Sequence, residues 1–512
     1  RARVRAWACV VAALGLAAAR GGAGARPVAG MGTWGSGGRA DAGGQGPGGG
    51  DPDRGMNPWV PIPEIEQVHL TPGPGPDSIH EGDGLLHVTA QFVVKHIEAQ
   101  KLLGFCEICL GKGCLGSIQG DDRGSSEVKE ATAGTYTSGG FSGTIYTTTF
   151  PILSSDAFYE YLCGTIDRRS GAILSKSQTF TFLTPSNGTE PTEKTFNVLT
   201  WGDMGAPGQG TKRMGMDSQV TIDAMQSDVR NQRFQLAINV GDSSYADDFT
   251  PFKNSWVEDK WYNAMVGIMT EVPTAVVVGN HEAQYKFSPH LHRTAMPTSG
   301  SGTLKRFYSS QDYGPLRVVA FSSEHDYSKG SEQHDFVVNA LKDIDRKKTP
   351  FVIVFAHRPM YCSSGVFSLP GDFFHRCTIE APRIRKPFEE IFKESGVDLY
   401  LSGHNHQFER SHPMYKGHAV TEGEVEGDAV VYRNPGAPIY IVNGAAGNKE
   451  GNDPTWLPHN LVKWRAAHSK KYHMGYGRIG VDTNGERPKL SWEYVDSTTG
   501  RVTDKAVLIR DV

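Results

Sequence analysis

Leu236-Ala237-Ile238-Asn239-Val240-Gly241-Asp242-Ser243-Ser244-Tyr245 is the stretch that decides how the rest of this chain is read. Leu236 to Val240 is a strand-like run with only Asn239 polar, and it stops at Gly241 to deliver Asp242 and, three residues on, Tyr245. Open α/β sheets place their chemistry at the carboxyl ends of strands. A single Gly-Asp after a strand is usually an ordinary turn. Here the design recurs. Phe196–Thr200 leads into Asp203, Thr274–Val278 into Asn280 and His281, Phe351–Phe355 into His357, and Val397–Leu401 into His404 and His406. Five apolar runs, each ending in Asp, Asn or His, predict one site at the ends of neighbouring strands.

Working outward, helical patterns alternate with these runs. Met216–Val229 carries Val220, Ile222, Met225 and Val229 on one face, with Asp217 or Ser218 as N-cap. A second helix is expected over Asp335–Ile344, and a third is expected to open at Pro387 and end at Gly396. The fold class is therefore α/β, with a catalytic domain over residues 191–512. Upstream, Leu85–Val94, Thr144–Phe150, Tyr159–Cys163 and Thr179–Leu183 are short β-type runs with no helix between them. They predict a small all-β sandwich domain over residues 61–190. Lys95–Ser117 fits that rhythm poorly and reads as an insertion clipped by cysteines.

The 512 residues carry a net charge of −4, which leaves no basic footprint for nucleic acid. Arg1, Arg3 and Arg5 precede the apolar stretch Ala6–Ala19, which reads as a signal peptide over residues 1–20 and so as secretion. That stretch falls short of the ~20 residues a membrane span needs, and no later one is longer. Residues 21–60 are Gly- and Ala-rich and read as disordered linker. Beyond Cys9, six cysteines remain, an even set that favours disulfides in a secreted chain. Cys106 and Cys109 have metal-site spacing but no companion histidine or second pair. Cys362 and Cys377 flank the loop after His357 and are expected to pair across it. Asn187 heads the only glycosylation sequon.

Asp203, Asp242, Tyr245, Asn280, His357, His404 and His406 form a mixed oxygen and nitrogen set, too large for one tetrahedral zinc. It suits two cations roughly 3.5–4 Å apart that share a carboxylate, for which Asp242 is centrally placed. His404 and His406 lie two apart in an extended segment, so they reach different cations only if the loop turns between them. Each residue alone has a bland reading: His357 as a hydrogen-bonded core residue, His-x-His as a surface accident, Asp203 as a helix cap. The recurrence at strand ends carries the metal reading.

Gly202-Asp203-Met204-Gly205, Gly241-Asp242-Ser243-Ser244-Tyr245, Gly279-Asn280-His281-Glu282, Ala356-His357-Arg358-Pro359-Met360-Tyr361 and Gly403-His404-Asn405-His406 resemble, in order and spacing, the five motif blocks of purple acid phosphatases. The resemblance covers most of residues 195–512. It implies a metallophosphoesterase-like layered β-sandwich flanked by helices, and upstream a fibronectin type III-like domain. It also implies an acid phosphatase that hydrolyses phosphate monoesters by a hydroxide held on a dinuclear centre. On that resemblance Asp203, Tyr245 and His406 would hold Fe(III), with Asp242 bridging. Asn280, His357 and His404 would hold a divalent Fe, Zn or Mn. His281 would contact the substrate phosphate and protonate the leaving oxygen, Glu282 would orient the loop, and Asn280 and His375 would face the substrate. The wider superfamily usually has Asp-x-His in the first block; this chain has Gly205 there, with Tyr245 in compensation.

Two other readings stand beside this one. The pocket could favour phosphodiesters or nucleotide pyrophosphates instead of monoesters, or the chain could be an idle extracellular binding module using its sandwich for adhesion. Seven intact ligands argue against idleness.

Overall fold

The computed structural model describes residues 63–74, 85–95, 101–115, 126–185, 195–209, 217–297, 303–364, 376–452, 455–470 and 472–511, with the side chains of 376–379 left aside. The predicted signal peptide and linker lie outside the described residues, as do Asn187 and His375.

Two eight-stranded sheets form the body that carries the predicted site. One runs in the order Thr274–Val276, Leu236–Asn239, Phe196–Trp201, Gly475–Asp482, Lys489–Asp496, Val502–Ile509, Ala429–Arg433 and Glu424–Glu426. The other runs Ser309–Tyr313, Leu316–Ala320, Phe351–Phe355, Leu399–Ser402, Ile439–Asn443, Phe408–Tyr415 and His418–Ala419, with Arg465–His468 added on Phe408–Tyr415. In each sheet the strands that lead into the motif loops are parallel to one another.

Side-chain alternation explains the layering. Phe351, Ile353 and Phe355 join Ile238, Val240, Ile441 and Trp492 in the core between the sheets. Val352 and Val354 face the other way, onto Val337, Ile384 and Phe388. Leu199, Trp201 and Ala237 likewise back onto Ile222, Met225 and Trp261. These runs are apolar on both faces because both faces are covered, and each such buried side chain contributes about 1.5–3 kcal/mol. The architecture is the expected sandwich flanked by helices.

The covering helices start and stop for local reasons. Helix α1 (Ser218–Asn231) is capped by Asp217, whose side chain accepts the Gln219 N–H. Helix α2 (Ser255–Met269) buries Val257, Trp261, Met265 and Ile268; the sequence reading missed it. A short α3 (Ser288–Arg293) follows. Helix α4 (Glu332–Ala340) begins ahead of the predicted Asp335 because Ser331 caps it by accepting the His334 N–H. Helix α5 (Arg376–Glu394) also begins earlier than predicted: Pro387 lies inside it, as does Pro382.

The region upstream is all-β, as expected: seven of its strands make one continuous antiparallel path, and the eighth, Phe180–Leu183, pairs beside it with Phe158–Asp167. Leu102–Leu110 corrects the reading of Lys95–Ser117 as an insertion. It is a strand paired with Glu127–Gly134 and Phe158–Asp167. Its cysteines are disulfide-bonded, Cys106 to Cys163 across that pairing and Cys109 to Cys114 at its end. This layer is fastened to the body that carries the predicted site through buried charge. Arg293 donates to Glu258 and Asp259, to the Tyr136 hydroxyl and to Gln67, and its guanidinium lies over the rings of Phe141 and Tyr262. Removing one partner from such a buried set costs about 3–5 kcal/mol.

Candidate metal centre

The loops that leave the parallel strands run alongside one another. The N–H groups of Asp203, Met204, Gly205 and Ala206 donate in sequence to the carbonyls of Gly241, Asp242, Ser243 and Ser244, at 3.1, 3.2, 2.9 and 3.2 Å. The pairing of the strands thus continues into the motif loops and brings the two aspartates together. Asp203, Asp242, Tyr245 and His404 all have φ between +52° and +67°. Non-glycine residues rarely take such values, and strain of that kind gathers at functional sites.

His357 roots the arrangement. Its Nδ1–H donates to the Val240 carbonyl at 2.9 Å, across the two sheets, so Nε2 faces inward. Around Nε2 lie Asp242 Oδ2 at 3.0 Å, Asn280 Oδ1 at 3.3 Å and His404 Nδ1 at 3.2 Å. Four lone-pair-bearing atoms with no hydrogen of their own to share need a proton or a cation among them. Without metal the proton serves: burial disfavours the imidazolium, but Asp242 outweighs it and raises His357 to about 10. Burial also pushes the Asp242 carboxyl up, yet His357, with His281 and His404, holds it below the usual carboxylate range. Among the described residues Asp242, His357 and His404 are a group geometrically able to hold an ion.

A second convergence lies beside the first. His406 donates Nδ1–H to the Gly451 carbonyl at 3.0 Å. Its Nε2 then meets the Tyr245 hydroxyl oxygen at 2.9 Å and Asp203 Oδ1 at 3.6 Å, and the hydroxyl is 3.4 Å from that same carboxylate oxygen. Burial, reinforced by the charge of Asp242, raises Asp203 well above its ordinary value. Tyr245 is raised too, by burial and then by Asp203 and Asp242. The loop does turn between His404 and His406: the Asn405 N–H donates back to Gly403 and the Gln407 N–H to Asn405. The two rings therefore serve different groups. Gly205 has φ +74°, and a Cβ there would lie 3.1 Å from Asn448 Cα, so a third-position side chain would be strained and crowded. The donor sets fit two cations: one hard group with carboxylate and phenol, and one richer in imidazole.

The remaining sequence candidates divide. Glu282 accepts the N–H groups of Asp242, Ser243 and Gly279 at 2.9, 2.8 and 2.7 Å, holding the Asp242 loop. His281 lies at the rim, its N–H on Asp242 Oδ1 at 2.9 Å and its Nε2 3.9 Å from Asp242 Oδ2. Its Nδ1 is 2.8 Å from Asp247 Oδ1. Burial lowers its basicity, but Asp247 and Asp242 reverse that and raise it to about 9. Cys362 is disulfide-bonded; the side chain of its expected partner Cys377 lies outside the described residues. Sequence reasoning missed Asp247, Glu324 and Glu380, and also Glu450, whose carboxylate oxygens lie 4.0 Å from His281 Nε2 and 3.8 Å from His406 Nε2. Asp247, two residues past Tyr245, was the findable one.

Comparison with known proteins points to phosphoesterases. A family model described as calcineurin-like phosphoesterase matches residues 197–408. Another, described as iron/zinc purple acid phosphatase-like protein C, matches residues 437–505. Acid phosphatase type 7 of Mus musculus is 28% identical over 72% of this chain and 77% of its own. A probable inactive purple acid phosphatase of Arabidopsis thaliana is 25% identical over 69% of this chain and 55% of its own. Among solved structures, a purple acid phosphatase from yellow lupin (Lupinus luteus) seeds shares the fold at a TM-score of 0.67 and 21% identity, covering 88% of this chain and 75% of that one.

Proposed function

On the premise that this chain belongs to the calcineurin-like phosphoesterases of the purple acid phosphatase kind, we propose that it hydrolyses phosphate monoesters at a dinuclear centre. One observation carries the proposal: two adjacent groups of inward-facing donors, with every imidazole turned to offer a lone pair. Asp203, Tyr245 and His406 would hold Fe(III); Asn280, His357 and His404 would hold a divalent Fe, Zn or Mn; Asp242 would bridge. When bound, the ions would neutralise phosphoryl charge and acidify water.

The chain's own residues do the rest. Asn280 and His281 line the approach to the centre, with His375 of the following loop as a further candidate contact. His281, kept protonated by Asp247, holds its mobile proton on Nε2 toward the opening, placed to donate to a departing alkoxide. Disulfides at Cys106–Cys163, Cys109–Cys114 and Cys362 suit an oxidising compartment and so a secreted enzyme. Asn187 is proposed as its glycosylation site and Cys362–Cys377 as its third bridge. Among the described residues no helix is long and apolar enough to cross a membrane.

The assay compares p-nitrophenyl phosphate with its bis-ester at acidic pH, before and after chelation. Chelator-sensitive turnover of the monoester in preference to the diester is expected. Preference for the diester would move the substrate class. No turnover by protein that holds both metals would leave an idle module, in keeping with the inactive label of the Arabidopsis relative.

A further inference from the structure

The three imidazoles facing the centre are not held alike. His357 and His406 each give their outer N–H to a backbone carbonyl, Val240 and Gly451, which no substitution removes. His404 gives its outer nitrogen to a side chain. Its Nε2 lies 3.2 Å from Glu380 Oε2, and Glu380 comes from the first turns of α5, more than twenty residues away in sequence. The same carboxylate oxygen accepts from Arg358 Nη1. Arg358 is fixed by Glu324, whose two oxygens accept from Nε at 2.7 Å and Nη2 at 2.8 Å. Arg358 Nη1 also lies 3.2 Å from His404 Nε2, and the Glu380 carboxylate that both nitrogens face can only accept. Glu380 Oε2 therefore takes both hydrogens, which puts the His404 proton on Nε2 and leaves Nδ1 bare toward His357 and Asp242.

We propose that Glu380 is the positioning residue of the divalent site: it fixes the tautomer and ring plane of His404, and its charge strengthens Nδ1 as a ligand for a divalent first-row cation. On the Tyr245 side the corresponding outer nitrogen, His406 Nδ1, rests on the Gly451 carbonyl instead. The triad Glu324–Arg358–Glu380 carries one net negative charge. Arg358 thus does not cancel the carboxylate but holds it in line. Carboxylates behind ligating histidines typically contribute 10–100-fold in metal affinity. The two metal positions are thereby made unequal, and among the described residues it is the His404 position that is tied to helix α5.

The inference rests on the dinuclear reading above, and its test separates the two. Metal-free full-length protein is titrated with zinc(II) in chelator-buffered solutions, and bound metal is measured by mass spectrometry alongside thermal melts. Wild type is expected to bind two ions. Glu380→Ala is expected to weaken one site 10–100-fold and leave the other unchanged. Glu380→Gln keeps an oxygen that can accept the Nε2–H but loses the charge. It is expected to fall between, and it serves if the alanine variant does not fold. Wild-type affinity at both sites in Glu380→Gln and in folded Glu380→Ala, or equal weakening of both sites, overturns the role of Glu380 alone. A wild type that binds fewer than two ions overturns the dinuclear reading itself.

Discussion

Gly403→Ala adds a single methyl group beneath the proposed centre, and the structure allows its effect to be worked out. A Cβ at Gly403 would lie 2.1 Å from Asp203 Oδ2 and 3.2 Å from Val240 Cγ2. Ordinary contact begins near 3.4 Å, so the carboxylate must retreat by about 1.3 Å. Asp203 is wholly buried and has no solvent to retreat into. It holds its place by accepting the His404 N–H at 3.0 and 2.9 Å on its two oxygens. Leaving a buried hydrogen-bonding group unsatisfied costs about 1–3 kcal/mol, and a displacement of about 1 Å at a reacting centre costs about 100-fold in rate. Urea unfolding of the metal-free protein, metal content and p-nitrophenyl phosphate turnover would be measured on the same preparations. Gly134→Ala is the control: nothing lies within 4 Å of its added methyl, and a change within about 0.5 kcal/mol is expected. Wild-type stability, metal content and turnover in Gly403→Ala would refute the packing of Asp203 against the His404 loop.

Two further predictions follow from the same geometry. A Tyr245 phenolate on Fe(III) would give the iron-loaded wild type a visible charge-transfer band; Tyr245→Phe keeps the ring but removes the oxygen 2.9 Å from His406 Nε2, so the band should vanish and iron be held more weakly while the protein stays folded. A retained band excludes Tyr245 as a ligand. Asp247→Asn removes the carboxylate that helps raise His281 to about 9. In the role proposed for it His281 acts in its protonated form, so activity is present below its pKa and lost as pH rises through it. The alkaline limb of the pH–rate profile should therefore move toward the ordinary histidine value near 6.5, and an unmoved limb would leave Asp247 without that role.

What was legible in the sequence follows from where the information is local. Phe351–Phe355 and Leu236–Ile238 are continuous apolar runs because both faces are covered, and each strand ends two or three residues before a candidate ligand, His357 and Asp242. The end of helix α5 was readable from Gly396, but its start was not. The pattern gave no sign that two prolines would be accommodated inside a helix. Helix α2 was missed although Trp261, Met265 and Ile268 share a buried face, since no strand-ending motif drew attention to it. Leu102–Leu110 was misread because three nearby cysteines suggested a clipped loop, whereas Cys106 and Cys163 sit on paired strands. The seven candidate ligands could be named because motif spacing is local. Glu324 and Glu380 could not, because only the fold brings them to Arg358 and His404.

The measurement that bears most directly on the account is the metal content of the purified chain after exposure to iron and zinc. Two ions per chain, at least one of them iron, are expected, with both Asp242→Ala and chelation removing the pair together with p-nitrophenyl phosphate turnover. One ion or none in the folded wild-type chain would contradict the dinuclear centre.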